Sequence, residues 1–365
     1  MTATQTAEPV KLDTAKSEAF AERMLEMMNG GAVMLMTSLG HRSGLFDTMA
    51  ALPPSTAGQI AERAGLSERY VREWLGAMTT GRIVEHDPEA DTFHLPPEHA
   101  AWLTRAASPN NIAATAQFFA VLGSAEDEVL RAFHDGKGVP YSAYPRFHEV
   151  MAEESAQTTV AGLFEHILPL APGLMERLEQ GIDALDLGCG RGWALMAMAE
   201  RFPNSRFVGG DFSEEAIFAA REEAKQHGLN NVTFEVVDAA DTPWDEAFDV
   251  VFTFDAVHDQ GAPDRMLVNI RRALRPGGTY LMQDIGACSH LHGNMDHPMG
   301  PYLYTISCMH CMSVSLHGGG RGLGAVWGQQ TALKMLGEAG FKDVEVKKLP
   351  HDVFNEYFVT GKPRA

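Results

Sequence analysis

Between Ala184 and Gly192 the chain reads Ala-Leu-Asp-Leu-Gly-Cys-Gly-Arg-Gly, an apolar run with one carboxylate, Asp186, that ends abruptly in three alternate glycines. The next segment, Trp193-Ala-Leu-Met-Ala-Met-Ala-Glu-Arg201, has helix-forming composition. A strand, a glycine turn and a helix make the first unit of a doubly wound nucleotide-binding fold. Gly188, Gly190 and Gly192 permit a tight turn and a close approach of a ligand to the main chain. A dinucleotide loop puts glycine or alanine where Trp193 stands, so the pattern here is Asp-x-Gly-x-Gly-x-Gly instead.

Arg206-Phe-Val-Gly-Gly210 reads as a second strand ending at Asp211, 19 residues after Gly192. A carboxylate at that end can accept hydrogen bonds from both hydroxyls of a ribose. Ser213 is a suitable cap for the following helix and Gly228 a suitable stop. Asn231–Val237 reads as a third strand, followed by Asp238 and Ala239. Phe248 to Asp259 reads as a fourth strand that runs past Phe254 and Asp255 into a rim carrying His258. Leu274-Arg-Pro-Gly-Gly278 turns into a fifth strand that ends at Asp284.

These landmarks resemble the class I S-adenosylmethionine-dependent methyltransferases, and the order of parts is similar to that of the small-molecule O-methyltransferases. The resemblance is close from about residue 181 to the end and architectural before it. It implies an α/β, Rossmann-like doubly wound domain with a mostly parallel seven-stranded sheet, closed by antiparallel strands at 341–347 and 357–362. It also implies S-adenosylmethionine as the cofactor, held by Asp186, Gly188, Gly190, Gly192, Asp211, Phe212, Asp238, Ala239, Phe254 and Asp255, with Asp211 on the ribose and Asp238 on the adenine amino group. Val257-His258-Asp259 matches the first three positions of a Leu-His-Asp-Trp segment whose His is the general base, while Gln260 replaces the Trp. Asp284 stands where those enzymes carry the acid that orients this His. A second acid of theirs has no match in Gly322–Gly328. The pairing is chemically sensible, because a carboxylate fixes an imidazole's tautomer and stabilises the imidazolium.

The amino-terminal half has its own pattern. Apolar residues from Phe20 to Met36 fit an amphipathic helix over 14–39, and a shorter helix over 45–52 stops at Pro53-Pro54. A helix over 56–64, a turn at Gly65, an N-cap at Ser67 and a second helix burying Val71, Trp74, Leu75 and Met78 follow. Ile83-Val84 and Phe93-His94-Leu95 flank the polar turn Asp87–Asp91, which completes an α-rich winged helix over 14–105. Residues 1–110 carry 9 Lys and Arg against 14 Asp and Glu, a net of −5, so a DNA-facing surface is not expected. In the O-methyltransferases such a domain serves dimerisation and walls the substrate pocket, and a homodimer through residues 14–52 is the expectation here.

Residues 106–180 read as a helical connector and lid, with helices at 146–154 and 158–178 and with Tyr141, Tyr144 and Arg146 as candidate substrate contacts. The domain 181–365 contains an insertion, 286–327, that builds the substrate pocket in the O-methyltransferases; Cys308, His310, Cys311 and Trp327 are its candidate contacts. On an α-helix Cys308 and Cys311 share a face and His310 points elsewhere. Cys-x-His-Cys lacks zinc-finger spacing, so no metal is expected.

At 365 residues the chain has room for two domains. Its net charge of −19 argues against nucleic-acid or anionic-membrane partners. Four scattered cysteines fit a reducing, cytoplasmic setting. Residues 1–13 read as a disordered leader without the apolar core of a signal peptide, and no apolar run is long enough to span a membrane. The expected activity is methyl transfer to a small-molecule acceptor, at oxygen. The alternatives are a thiol or metalloid methyltransferase that uses Cys308 and Cys311, and a cofactor-sensing DNA-binding regulator.

Overall fold

The structure, a computed structural model, describes residues 12–364. Most of the expected leader, residues 1–11, lies outside the described residues; Asp13 belongs to the first helix, whose N-terminus it caps by accepting from the Lys16 N–H at 3.2 Å. The chain divides into two compact units. One ends at Ala107 and takes in Asn111–Phe119; the other comprises Ser108–Asn110 and Ala120 onward. The expected connector 106–180 is therefore shared between them rather than forming a unit of its own.

In the first unit a 30-residue helix, Thr14–Ser43, is followed by Leu45–Ala50. The Ala57–Ala64 helix opens with a capping box, in which Thr56 and Gln59 each accept from the other's N–H. Ser67 precedes the Glu68–Thr80 helix without making the expected side-chain cap bond. Strands β1 (Glu85–Asp87) and β2 (Thr92–His94) form the antiparallel wing, and Ser55 bridges to Phe93 on β2. Phe46, Ile60, Val71, Trp74, Leu75 and Met78 fill the core. Trp74 meets Phe46 edge-on at 5.2 Å and donates its indole N–H to the Met36 carbonyl at 2.8 Å. The first half of Thr14–Ser43 takes no part in that core: Phe20, Met24, Leu25, Met27 and Met28 are all exposed.

The second unit is built on seven strands: β3 (Asp183–Leu187), β4 (Arg206–Asp211), β5 (Val232–Val236), β6 (Phe248–Phe254), β7 (Leu274–Ile285), β8 (Lys342–Lys347) and β9 (Asn355–Gly361). They lie in the order β5-β4-β3-β6-β7-β9-β8, with the first five parallel and β9 antiparallel to both its neighbours. Apolar side chains alternate between two cores. Ala184, Val250 and Phe252 face one with the Trp193–Arg201 and Glu214–Gln226 helices, while Leu185, Leu187 and Val251 face the other with Pro263–Ala273 and Gly328–Glu338. The connection order reverses between β3 and β6, and such a switch point leaves a crevice beyond the carboxyl ends of the strands.

The expected helix over 158–178 is broken. Two π-helical turns, Ala156–Val160 and Leu163–Ile167, sit on either side of Gly162, then a tight turn at Leu168–Leu170 precedes the helix Leu174–Gln180. Pro169 and Pro172 each lack a backbone N–H, and Gly173 takes φ +74°, so an uninterrupted α ladder cannot pass through them.

Candidate active site

The glycine loop is held by the strand beside it. Gly188 and Cys189 donate to the Gly210 carbonyl at 2.7 and 3.2 Å. Asp211, the last residue of β4, accepts from the Gly190 N–H through one carboxylate oxygen and from the Ser213 N–H through the other, both at 2.9 Å. Gly192 has φ +72°, and a Cβ there would stand 2.2 Å from the Phe234 ring, so both conformation and space demand glycine.

Beyond the strand ends lies an open cleft. Asp186, Gly188, Gly190, Gly192, Asp211, Phe212, Phe254 and Asp255 line it, so eight of the residues expected at the cofactor come together. The opposite wall is Tyr141, Phe147, His148 and residues from Met151 to Val160, together with Asp259 and Gln260 from the rim. Tyr141 stacks on His148 with ring centroids 5.4 Å apart and leans towards Phe212 at 5.5 Å.

Two acids in this cleft are deeply buried. Asp186 is 2% exposed, and its Oδ1 has no hydrogen-bond partner among the described residues. Asp255 follows β6 with φ +52°; its Oδ2 accepts from Gln283 Nε2 at 3.0 Å, while its Oδ1 is unpartnered. Burial, with the nearby Asp211 charge, pushes Asp186 up to about 8; burial and then Asp284 do the same to Asp255.

Behind the cleft wall sits a chain of ionisable groups. His258, 3% exposed, bonds through Nδ1 to Asp284 Oδ1 at 2.7 Å, and that oxygen also accepts from Trp327 Nε1 at 2.9 Å and the Ile285 N–H at 2.8 Å. The expected His258–Asp284 pair is present, with Trp327 as its support. The other imidazole nitrogen, Nε2, lies 3.1 Å from Asp259 Oδ1. His258 itself does not line the cleft; Asp259 does. Burial alone would lower the imidazole pKa, but the charges of Asp284 and Asp259 outweigh it and hold the imidazolium well above its ordinary range. Burial works the other way on Asp259, and His258 outweighs it, drawing that carboxyl down to about 2.

Other expected contacts lie elsewhere. Asp238 is exposed and caps the Ala240 N–H at 2.8 Å, and Ala239 is buried with its carbonyl accepting from Asn269 at 3.0 Å; neither lines the cleft. Arg146 pairs with Glu149 at 2.8 Å, and the buried Tyr144 donates its hydroxyl to the Met309 carbonyl. The expected facing of the two insertion cysteines is overturned because Ser307–Cys311 is a π-helical turn. His310 and Cys311 are buried while Cys308 is half-buried beside Phe133 and Met312, lining a separate cavity. His310 stacks on Phe147 at 3.6 Å, and burial lowers its pKa to about 4, so it is neutral.

Sequence reasoning missed three contributors. Trp193, in sequence terms an obstacle to dinucleotide packing, lines the cleft and donates to Glu223 at 2.9 Å. Asp259 stood in the matched rim segment next to the favoured His. Thr159, hydrogen-bonded to Gln283 at 3.1 Å, had no signal, because it lies on a π-helical turn in a segment read as plain helix.

Residues 31–105 match the Rv2258c-like winged helix-turn-helix domain, and residues 178–340 match a methyltransferase domain. Nocamycin O-methyltransferase of Saccharothrix syringae is 37% identical over 120 residues, which is 31% of this chain and 42% of that protein. The chain spans about two fifths of the length of the first curated relatives it matches (42%, 38% and 39%). Among solved structures, the mitomycin 7-O-methyltransferase MmcR superposes with a TM-score of 0.71 at 18% identity, covering 97% of this chain and 100% of that one. Human N-acetylserotonin methyltransferase, solved in complex with SAM, gives 0.68 at 17% identity, covering 97% and 99%. At such identities the likeness is one of fold.

Proposed function

We propose that this chain, a winged helix-turn-helix domain followed by a methyltransferase domain, transfers a methyl group from S-adenosylmethionine to a small-molecule acceptor, at oxygen. The observation that carries the reading is the pair of buried carboxylates, Asp186 and Asp255, each with an unpartnered oxygen, in a cleft beside the glycine loop. A ligand bearing an ammonium and a sulfonium is what such acids can accept, since each orphaned oxygen would otherwise cost its full desolvation penalty. The curated and structural relatives named above, O-methyltransferases and a SAM complex, support the same choice.

Asp211 would take the ribose hydroxyls while continuing to hold Gly190 in place. When bound, the cofactor supplies an electrophilic methyl group, and its transfer to a hydroxyl releases one proton. Asp259 is the acid at the cleft wall suited to receive that proton, with His258 and Asp284 behind it to spread the charge. A carboxylate so acidic is a weak base towards a free alcohol, but methylation makes the hydroxyl proton far more acidic, and a late proton transfer then suffices.

Cofactor affinity should depend on pH. With no cation beside them, Asp186 and Asp255 hold protons below about pH 8. A cationic ligand lowers both pKa values, so binding weakens as pH falls below about 8, by up to roughly tenfold per unit for each group. Calorimetry at about pH 7.5 and pH 6, where the ligand keeps its ammonium, checks this; equal affinities would sink the role of the two acids.

A homodimer through the Thr14–Ser43 helix is part of the same reading. The exposed Phe20, Leu25, Met27 and Met28 form an apolar face of the sort that marks a protein interface. Light scattering should return twice the 39.8 kDa chain mass, and a monomer mass at micromolar concentration would remove the idea. DNA is the less favoured partner. Arg69 and Arg72 of the second winged-helix helix are each paired with a Glu one turn away, and the wing tip carries Asp87, Glu89 and Asp91.

A further inference from the structure

Gln283 is fully buried on β7 and does not line the cleft, yet its side chain ties together two residues that do. Its amide nitrogen donates to Asp255 Oδ2 at 3.0 Å and to the Thr159 hydroxyl at 3.1 Å, which uses both N–H bonds. Its backbone carbonyl accepts from the Asp255 N–H at 3.0 Å. One residue thus holds Asp255 by main chain and side chain together. Asp255 needs such a hold: φ +52° lies in the left-handed region that favours glycine, and another residue stays there only where its surroundings fix it.

The hold leaves one atom free. An amide nitrogen only donates, so Oδ2 is committed as an acceptor. Oδ1, buried and unpartnered among the described residues, is the oxygen left for a ligand. Burial, the largest influence, raises the Asp255 pKa together with the charges of Asp284 and Asp352. His258 and the Gln283 hydrogen bond draw it back towards the anion that a cation requires.

We propose that Gln283, braced by Thr159, is the positioning residue that presents Asp255 Oδ1 to a cationic group of S-adenosylmethionine. The inference rests on the proposed function, because it takes Asp255 as a cofactor contact; it adds a residue that touches no ligand and acts through that acid. Successive side chains of a strand point to opposite sides, so Gln283 serves Asp255 on one face of β7 while Asp284 serves His258 on the other. The binding acid and the proton-transfer chain are thus supported separately at the end of one strand.

The test is calorimetry on the full chain at about pH 7.5, where the ligand's ammonium is intact. Two probes are used: S-adenosylmethionine, and 5′-methylthioadenosine, which keeps the nucleoside but carries neither ammonium nor sulfonium. Gln283→Leu should weaken the first by about 10- to 100-fold, the worth of a hydrogen bond to a charged group, and leave the second within about twofold. Asp255→Asn should weaken S-adenosylmethionine too, and in that background Gln283→Leu should cost almost nothing further, because Gln283 acts through Asp255. Thr159→Val, which keeps the volume, should cost roughly three- to tenfold, and Thr159→Ser should restore wild-type affinity. If Gln283→Leu does not fold, Thr159→Val carries the same comparison between probes and backgrounds. A merely structural role predicts both probes weakened alike, and the same loss with or without the Asp255 carboxylate. Either result overturns the positioning role and leaves the methyltransferase reading standing. A wild-type chain that binds neither probe overturns that reading, and this inference with it.

Discussion

Turnover in Asp259→Asn and in His258→Ala is expected to fall ~10²–10⁴-fold, the usual contribution of a positioned proton-transfer group, with cofactor affinity within a few-fold of wild type. The two variants should resemble each other, because the residues act as one unit: Asp259 reaches the cleft, and His258, 3.1 Å behind it, is held by Asp284 at 2.7 Å. Asp284→Asn should fall between these variants and wild type, since it loosens the imidazole without removing it. The measurement is methyl transfer to any acceptor that the wild type turns over, from pH 6 to 9. If Asp259→Asn stays within a few-fold of wild type throughout, the acceptor needs no proton taken from it and is a thiolate or a neutral amine.

Asp211→Ala should weaken S-adenosylmethionine by about 2–4 kcal/mol, roughly 30- to 1000-fold, the value of a doubly accepting charged hydrogen-bond partner. Its carboxylate already accepts from Gly190 and Ser213. The variant therefore loses the ribose contact and also the restraint on the loop beneath the cofactor. Asp211→Asn separates the two effects: it keeps an oxygen for one backbone donor but presents an amide to the other. Its loss should be smaller than that of the alanine variant. Wild-type affinity by calorimetry in Asp211→Ala rules out the ribose assignment.

Much of this was legible because it is local. Asp186 through Gly192 is a contiguous pattern, and positive φ at Gly192 against the Phe234 ring is the sort of constraint that leaves only one residue type. The ends of parallel strands converge at a switch point, so Asp211 and Asp255 could be assigned to one cleft without coordinates. Asp238 stands at an equally clear strand end, where its side chain accepts from the Ala240 N–H and does not line the cleft. What stayed hidden depended on phase. Cys308 and Cys311 share a face on an α-helix, and a single π-helical turn separates them, sending one to His258 and the other to Phe133. The same holds for Thr159, whose contact with Gln283 spans 124 positions of sequence. Between His258 and Asp259, a match to a known segment favoured the imidazole, and only burial reveals which of the two meets the cleft.

Two of the π-helical turns set which side chains reach the buried groups around this cleft: Ser307–Cys311 brings Cys311 to His258, and Ala156–Val160 brings Thr159 to Gln283. Each is a helix that has absorbed one extra residue. Excising a residue from Ser307–Cys311 would return the ladder to α spacing and rotate everything from Met312 to His317 by about 100° against Gly300–Ile306. The same excision in Ala156–Val160 would swing Thr159 off Gln283. A one-residue deletion at either turn thus re-aims a whole face of side chains, where a substitution changes one.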